Sequence, residues 1–208
     1  VDGRHLGTGI GKGDEAMRSV VAVVVALGML PATSRGREAF GRVFPDALER
    51  GGKTLRLVGM GLRQKYLFDV FVLGIYTTDG SCDPGSMVRD DQVKLILQEF
   101  VRTVSAKRLE EETRKVTEPR MPPDLTEEER QQAETFISMM RTEVRDGTQV
   151  EMLYIPGEGT RVSKDDRPLG PPLKGKRFQE MLWQSYLGPD SFCPKTRDQV
   201  LRSCQAAH

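Results

Sequence analysis

"GMGLRQKYLFDVFVLGIY", Gly59 to Tyr76, decides how this 208-residue chain is read. Two glycines lead into two cations, Arg63 and Lys65, and a nearly unbroken apolar run follows. From Tyr66 to Tyr76 both alternating faces are apolar. Phe68, Val70, Val72 and Tyr76 fall on one, and Leu67, Phe71, Leu73 and Ile75 on the other. That pattern predicts a central strand covered on both sides. Gly74 inside it predicts close approach by another element. Gly59 and Gly61 predict a tight backbone turn before it. A guanidinium at the mouth of such a strand needs a partner, because burying an unpaired charge costs several kcal/mol.

Upstream, "FPDALERGGKTLRLVG" gives a Gly-Gly turn at 51–52 and an alternating strand with Leu55 and Leu57 on one face, so the domain is expected to run from about Phe40 to the C-terminus. Downstream, "DGSCDPGS" reads as a loop and "QVKLILQEFVRTV" as a second β-rich run. Ser105 switches the period to helical. Thr126 to Glu129 is a capping box opening a helix that carries Ala133, Phe136, Ile137, Met140 and Val144 on one stripe and stops at Gly147. "QVEMLYI" and "TRV" form a hairpin across "PGEG", and two helices follow, "KRFQEMLWQSYLG" and one opened by Pro194. This order, not strictly alternating, predicts an α+β fold with helices on one face of an antiparallel sheet.

The N-terminal 34 residues differ in kind. Val20 to Leu30 is an 11-residue apolar block after Arg18 and before Pro31 and small residues. It is too short to span about 30 Å of hydrocarbon and reads as an export signal over 17–34, with a buried helix or a retained anchor as the alternative. Residues 1–16, polar and Gly-rich, read as an over-long frame ahead of Met17. A periplasmic or secreted location is the expectation, with no stable membrane span after cleavage. Export permits disulfides. Eleven residues of helix between Cys193 and Cys204 would hold their Cα atoms roughly 16 Å apart, too far to bridge. Cys82 could pair with either of them, but three free thiols is the expectation.

The formal net charge of +1 gives no field for nucleic acid. The two histidines, His5 and His208, sit in the tails, so a histidine triad or histidine metal site has no material; no metal and no cofactor is expected. "GTGIGKG", 7–13, imitates a phosphate loop, but no strand precedes it. That leaves Arg63. Either it sits at the strand's exposed end or pairs with Asp69 or Glu99, or it faces a pocket and awaits an anion, for which its fork suits a carboxylate. Lys65 is read as a solvated rim charge. Ser185 is a second oddity. It follows Phe178, Met181 and Leu182 on the apolar stripe of its helix, where it either bonds back to a carbonyl one turn earlier or faces the same pocket.

At these residues the chain resembles a chalcone isomerase-like protein of the bacterial secreted type. The likeness runs from about Phe44 to Leu201, through "LRLVGMGLRQKYLFDVFVLGIY", "FVRTVSAKRL", "GTQVEMLYIPGEGTRV" and "FQEMLWQSYLGP". It implies an open-faced β-sandwich, a large antiparallel sheet backed by a helical layer with a ligand cleft between. It also implies that Arg63 occupies the family's arginine, which holds substrate in the plant isomerases and a fatty acid carboxylate in their binding relatives. A threonine of the plant enzymes falls on Phe71. Their tyrosine and asparagine are missing from "SAKRLEEETRKVTEPR". With those donors gone, a non-catalytic binder of a fatty acid or similar amphipathic carboxylate is expected. Arg63, Ser185, Tyr186, Phe71 and Tyr76 would stand at the ligand, and Phe68, Val70, Val72 and Met181 along its tail. If the chain is an enzyme, Arg63 and Ser185 would serve an isomerase or lyase acting on an enone. A structural domain with a filled interior is the third reading.

Overall fold

The fold is taken from a computed structural model that describes residues 36–206. The expected extension and export signal, "GTGIGKG", His5 and His208 lie outside them. A short hairpin, β1 (Gly36–Ala39) and β2 (Arg42–Pro45), precedes a seven-stranded antiparallel sheet. Its strands follow one another in chain order: β3 (Ala47–Arg50), β4 (Lys53–Lys65), β5 (Phe68–Thr77), β6 (Lys94–Phe100), β7 (Gln149–Ile155), β8 (Gly159–Lys164) and β9 (Arg167–Pro168). The helices are α1 (Pro84–Arg89), α2 (Ala106–Thr117), α3 (Glu127–Met139), α4 (Lys176–Leu187) and α5 (Pro194–Gln205). The first hairpin begins ahead of the Phe40 start that the sequence suggested, and α1 occupies part of the expected loop.

β5 is central, as its double apolar face requires. Leu73 and Ile75 join the larger core with Ile96, Met152, Phe136, Leu182 and Trp183, between the sheet and the helices. Val72 and Tyr76 face the other way, into a smaller core with Phe44, Leu55, Leu57 and Leu95. The β1–β2 hairpin supplies Phe44 to this second face. A side chain at Gly74 would lie 2.6 Å from the Phe44 ring, so the glycine lets that ring rest on the β5 backbone. Each large apolar side chain buried in these layers contributes about 1.5–3 kcal/mol.

Gly59 and Gly61 do not form the expected turn. They lie inside β4, where α5 crosses the strand. A Cβ at Gly59 would collide with the Val200 carbonyl and one at Gly61 with the Thr196 carbonyl, so two bare positions let a helix backbone sit directly on a strand. Side chains of α5 then serve the strand's free backbone groups. The Met60 amide donates to Ser203 Oγ (2.9 Å), the Leu62 amide to Gln199 Oε1 (2.8 Å), and Thr196 Oγ1 donates to the Leu62 carbonyl (2.9 Å).

A register shift between Leu57 and Gly59 re-aims the rest of β4. Leu55 and Leu57 point into the smaller core, yet Gly59, Gly61 and Arg63, of the same parity, face the helices. A β-bulge has that consequence, since one extra residue inverts the alternation.

Two further expectations are corrected, and one buried charge is added. α3 stops at Met139, before the Gly147 that was to end it, because Val144 leaves the helix to pair with Val104 across two backbone hydrogen bonds (2.9 and 3.1 Å). The thiols are not all free: Cys82 and Cys204 form a disulfide with Cα atoms 5.8 Å apart, and Cys193 is the free, buried one. Lys94, in "QVKLIL", is fully buried. Its Nζ donates to the carbonyls of Met87, Val88 and Asp90, closing the last turn of α1, and lies 4.9 Å from the centre of the Trp183 ring. Burial pushes its pKa down to about 8, so the ammonium stays charged at neutral pH and pins α1 to the sheet.

Candidate functional site

Between the sheet and helices α2, α3 and α4 lies a cavity of about 100 Å³. Its walls are apolar: Val70 and Phe71 from β5, Phe100 from β6, Leu109 from α2, Phe136 from α3 and Leu182 from α4. Polar groups enter at few points. Arg63 and Lys65 come from the end of β4, Gln98 from β6, Glu112 and Thr113 from α2, and Ser185 and Tyr186 from α4.

Arg63 reaches this cavity because of the bulge in β4. Both internal acids that could have neutralised it are engaged elsewhere. Asp69 accepts from Gln64 Nε2 (2.7 Å), and Glu99 pairs with Arg42 (3.1 Å). Among the described residues Arg63 has no carboxylate partner. Its guanidinium lies 5.3 Å from the centre of the Phe192 ring, a cation–π contact that orients it without cancelling its charge. Lys65 lines the same cavity but is paired with Glu112, a residue the sequence reading did not single out. Burial would raise the Glu112 carboxyl pKa, but the hydrogen bond and charge of Lys65, with Arg108 and Lys115, outweigh it and hold the group below the usual range. The cation left over is therefore Arg63.

Ser185 lines the cavity, and its hydroxyl donates to the Leu182 carbonyl one turn earlier (2.7 Å). The back-bonding alternative therefore describes it: its one proton is spent on Leu182, and at the cavity its oxygen can only accept. Ser185 also lines a small void beside Met181 and the surface groove of about 720 Å³ along Pro119, Met121 and Gln184. The Tyr186 phenol accepts from Gln98 Nε2 (2.8 Å), and its own proton meets only the Met152 sulfur at 3.9 Å. Gln98 Oε1 is buried without a hydrogen-bond partner. Whichever way this amide is turned, the Gln98–Tyr186 pair keeps more than one hydrogen-bonding valence unspent beside the cavity. Burial raises the Tyr186 pKa strongly, and the nearby Cys193 adds to this; the Arg63 charge opposes it too weakly to matter. The phenol is neutral across the physiological range.

The expected set is thus brought together in part. Arg63, Phe71, Ser185 and Tyr186 meet at the cavity, with Val70. Tyr76 does not. It lies on the opposite face of the sheet, where its hydroxyl donates to the Pro45 carbonyl (3.0 Å), and Val72 shares that face. Phe68 is exposed at the strand's start, and Met181 lies behind the cavity rather than in it. Gln98, Thr113 and Phe192 were missed. Gln98 had a signal, a lone amide inside the apolar run "KLILQEF".

The groups present can bind an anion and a short apolar segment. Among the described residues no cluster of His, Cys, Asp and Glu could hold a metal ion. The fold has solved relatives. One is the Arabidopsis thaliana fatty-acid binding protein, which is 14% identical, superposes with a TM-score of 0.67, and is matched over 83% of this chain and 98% of its own. Among curated proteins none matches. The sequence profile of the chalcone isomerase-like family covers residues 36–202, from the first strand through most of α5. The chain belongs to the chalcone isomerase-like family.

Proposed function

We propose that this protein binds an amphipathic carboxylate, most simply a fatty acid, without turning it over. The observation that carries this reading is Arg63, a cation without a carboxylate partner at an apolar cavity whose other cation is already paired. A guanidinium so placed recognises a carboxylate through two parallel hydrogen bonds. The second N–H of the Gln98 amide stands ready for a further polar contact, Ser185 could donate only by releasing the Leu182 carbonyl, and Phe71 forms part of the wall. The structural relative described as a fatty-acid binding protein supports the same ligand class.

Size narrows the ligand. A cavity of about 150 Å³ holds benzene, so about 100 Å³ holds only the first carbons of a chain. A longer tail passes Ser185, beside Met181, towards the surface groove, which shares Ser185 with the cavity. Each methylene it buries adds about 0.8 kcal/mol.

The rival reading, ring closure on an enone, asks for several donors converging on one developing oxyanion. Phe71 brings a hydrocarbon ring where the resemblance places a donor, so the binder is favoured. Native mass spectrometry of the purified chain checks this. One equivalent of an acyl carboxylate is expected, carried from expression or taken up from added decanoate. A bare polypeptide mass under both conditions would reject the reading.

A further inference from the structure

The turn joining β4 to β5 carries Tyr66 and Leu67, and Phe68 opens β5 directly after them, with 87%, 94% and 57% of their surfaces exposed. Isolated exposed apolar residues are ordinary, but three in a row at the tip of a hairpin are not. Hairpin turns favour small and polar residues such as Gly, Asn and Asp. Tyr66 also takes a left-handed backbone conformation (φ 56°), which an aromatic residue rarely adopts. The sequence thus accepts strain and exposure together at one point.

We propose that this tip inserts into the interfacial layer of a lipid bilayer bearing anionic headgroups. The cations around it match such a surface. Arg102 holds its guanidinium 4.5 Å from the centre of the Phe68 ring and has no carboxylate partner among the described residues. Lys65 lies over the Tyr66 ring (5.9 Å), and Lys65 and Arg108 share Glu112. The nearby Asp69 keeps its negative charge, its partner Gln64 being neutral, so the excess at the tip comes from Lys65, Arg102 and Arg108 outnumbering Asp69 and Glu112. Aromatic and leucine side chains flanked by Lys and Arg suit the boundary between headgroups and acyl chains. A second copy of the chain fits less well. Three side chains offer about 500 Å² at most, short of the roughly 800 Å² per partner that a stable dimer buries. The tip adjoins the cavity, since Lys65, the last residue of β4, lines the cavity and lies over Tyr66. Docking there would set the cavity beside a lipid surface, yet it stands whatever the cavity holds.

Co-sedimentation with sucrose-loaded vesicles tests it. The native chain is expected to pellet with phosphatidylcholine vesicles containing phosphatidylglycerol, and less with phosphatidylcholine alone. Leu67→Ser should weaken partitioning about tenfold or more. Arg102→Gln and 0.5 M salt should remove the preference for the anionic lipid. Leu67→Trp supplies a second readout. Its emission should shift to the blue on vesicles, against the steady background of buried Trp183. Loss of carboxylate binding in Arg63→Ala with sedimentation retained would separate this inference from the ligand reading. Equal pelleting of native and Leu67→Ser chains, no emission shift, or a concentration-dependent dimer abolished by Leu67→Ser would overturn it.

Discussion

Gly61→Val is expected to destabilise the protein by roughly 3 kcal/mol or more, the upper range for forcing volume into a packed site. The new side chain would enter the Thr196 carbonyl, which belongs to the backbone of α5 and cannot rotate away. The helix would have to lift, and lifting it breaks the bonds from Thr196, Gln199 and Ser203 that satisfy the edge of β4. Gly59→Val should act similarly through the Val200 carbonyl. Gly52→Ala is the control, since a Cβ there meets nothing within 4 Å and only its own backbone strain is at stake. Urea unfolding followed by circular dichroism measures all three. A Gly61→Val chain with the native midpoint would show that α5 does not rest on the strand as described.

Removing the disulfide should cost nearly as much. Cys82 and Cys204 are 122 residues apart, so the bond restricts most of the described fold in the unfolded chain. Loop-closure entropy sets an upper bound of about 5 kcal/mol, and measured losses are typically about 2–4 kcal/mol. Cys204→Ser, or unfolding in reductant, is expected to lower stability by roughly 3 kcal/mol. Both should weaken the hold of α5 on the sheet, because Cys204 lies near that helix's end. Reductant should have no further effect on the Cys204→Ser chain. Unfolding midpoints that ignore reductant in the native chain would mean the bond is not formed in solution.

Much of the architecture was legible because the signals were local or periodic. The double apolar face of β5, the capping box at Thr126 and the stripe of α4 each name their own structure. What failed depends on pairing between distant segments. The bulge in β4 cannot be read from "LRLVGMGLR", because it exists only in register with β5. Without it Arg63 would share a face with Leu55 and Leu57, and the cavity would lose its cation. Tyr76 was misplaced by the same logic: alternation separates two faces but does not say which one the helices cover. Val144 fits a helical stripe, yet its pairing with Val104 drew it out of the helix. The Cys82–Cys204 bond spans 122 residues and left no local trace. At the site, Arg63, Phe71, Ser185 and Tyr186 were found from resemblance and from a hydroxyl on an apolar stripe. Gln98 was marked only by being a lone amide in an apolar run, and Glu112, Thr113 and Phe192 joined them only through folding.

As proposed, the Arg63 guanidinium, without a carboxylate partner among the described residues, is the receptor for the ligand's carboxylate. Calorimetric titration of decanoate and decanol into the native and Arg63→Ala chains tests it, because the two ligands share a tail and differ in charge. The acid should bind the native chain more tightly than the alcohol. Arg63→Ala should cost the acid roughly 2–5 kcal/mol and leave the alcohol nearly unchanged, so that the preference disappears. Equal acid affinity in the two chains would mean that Arg63 does not hold the carboxylate.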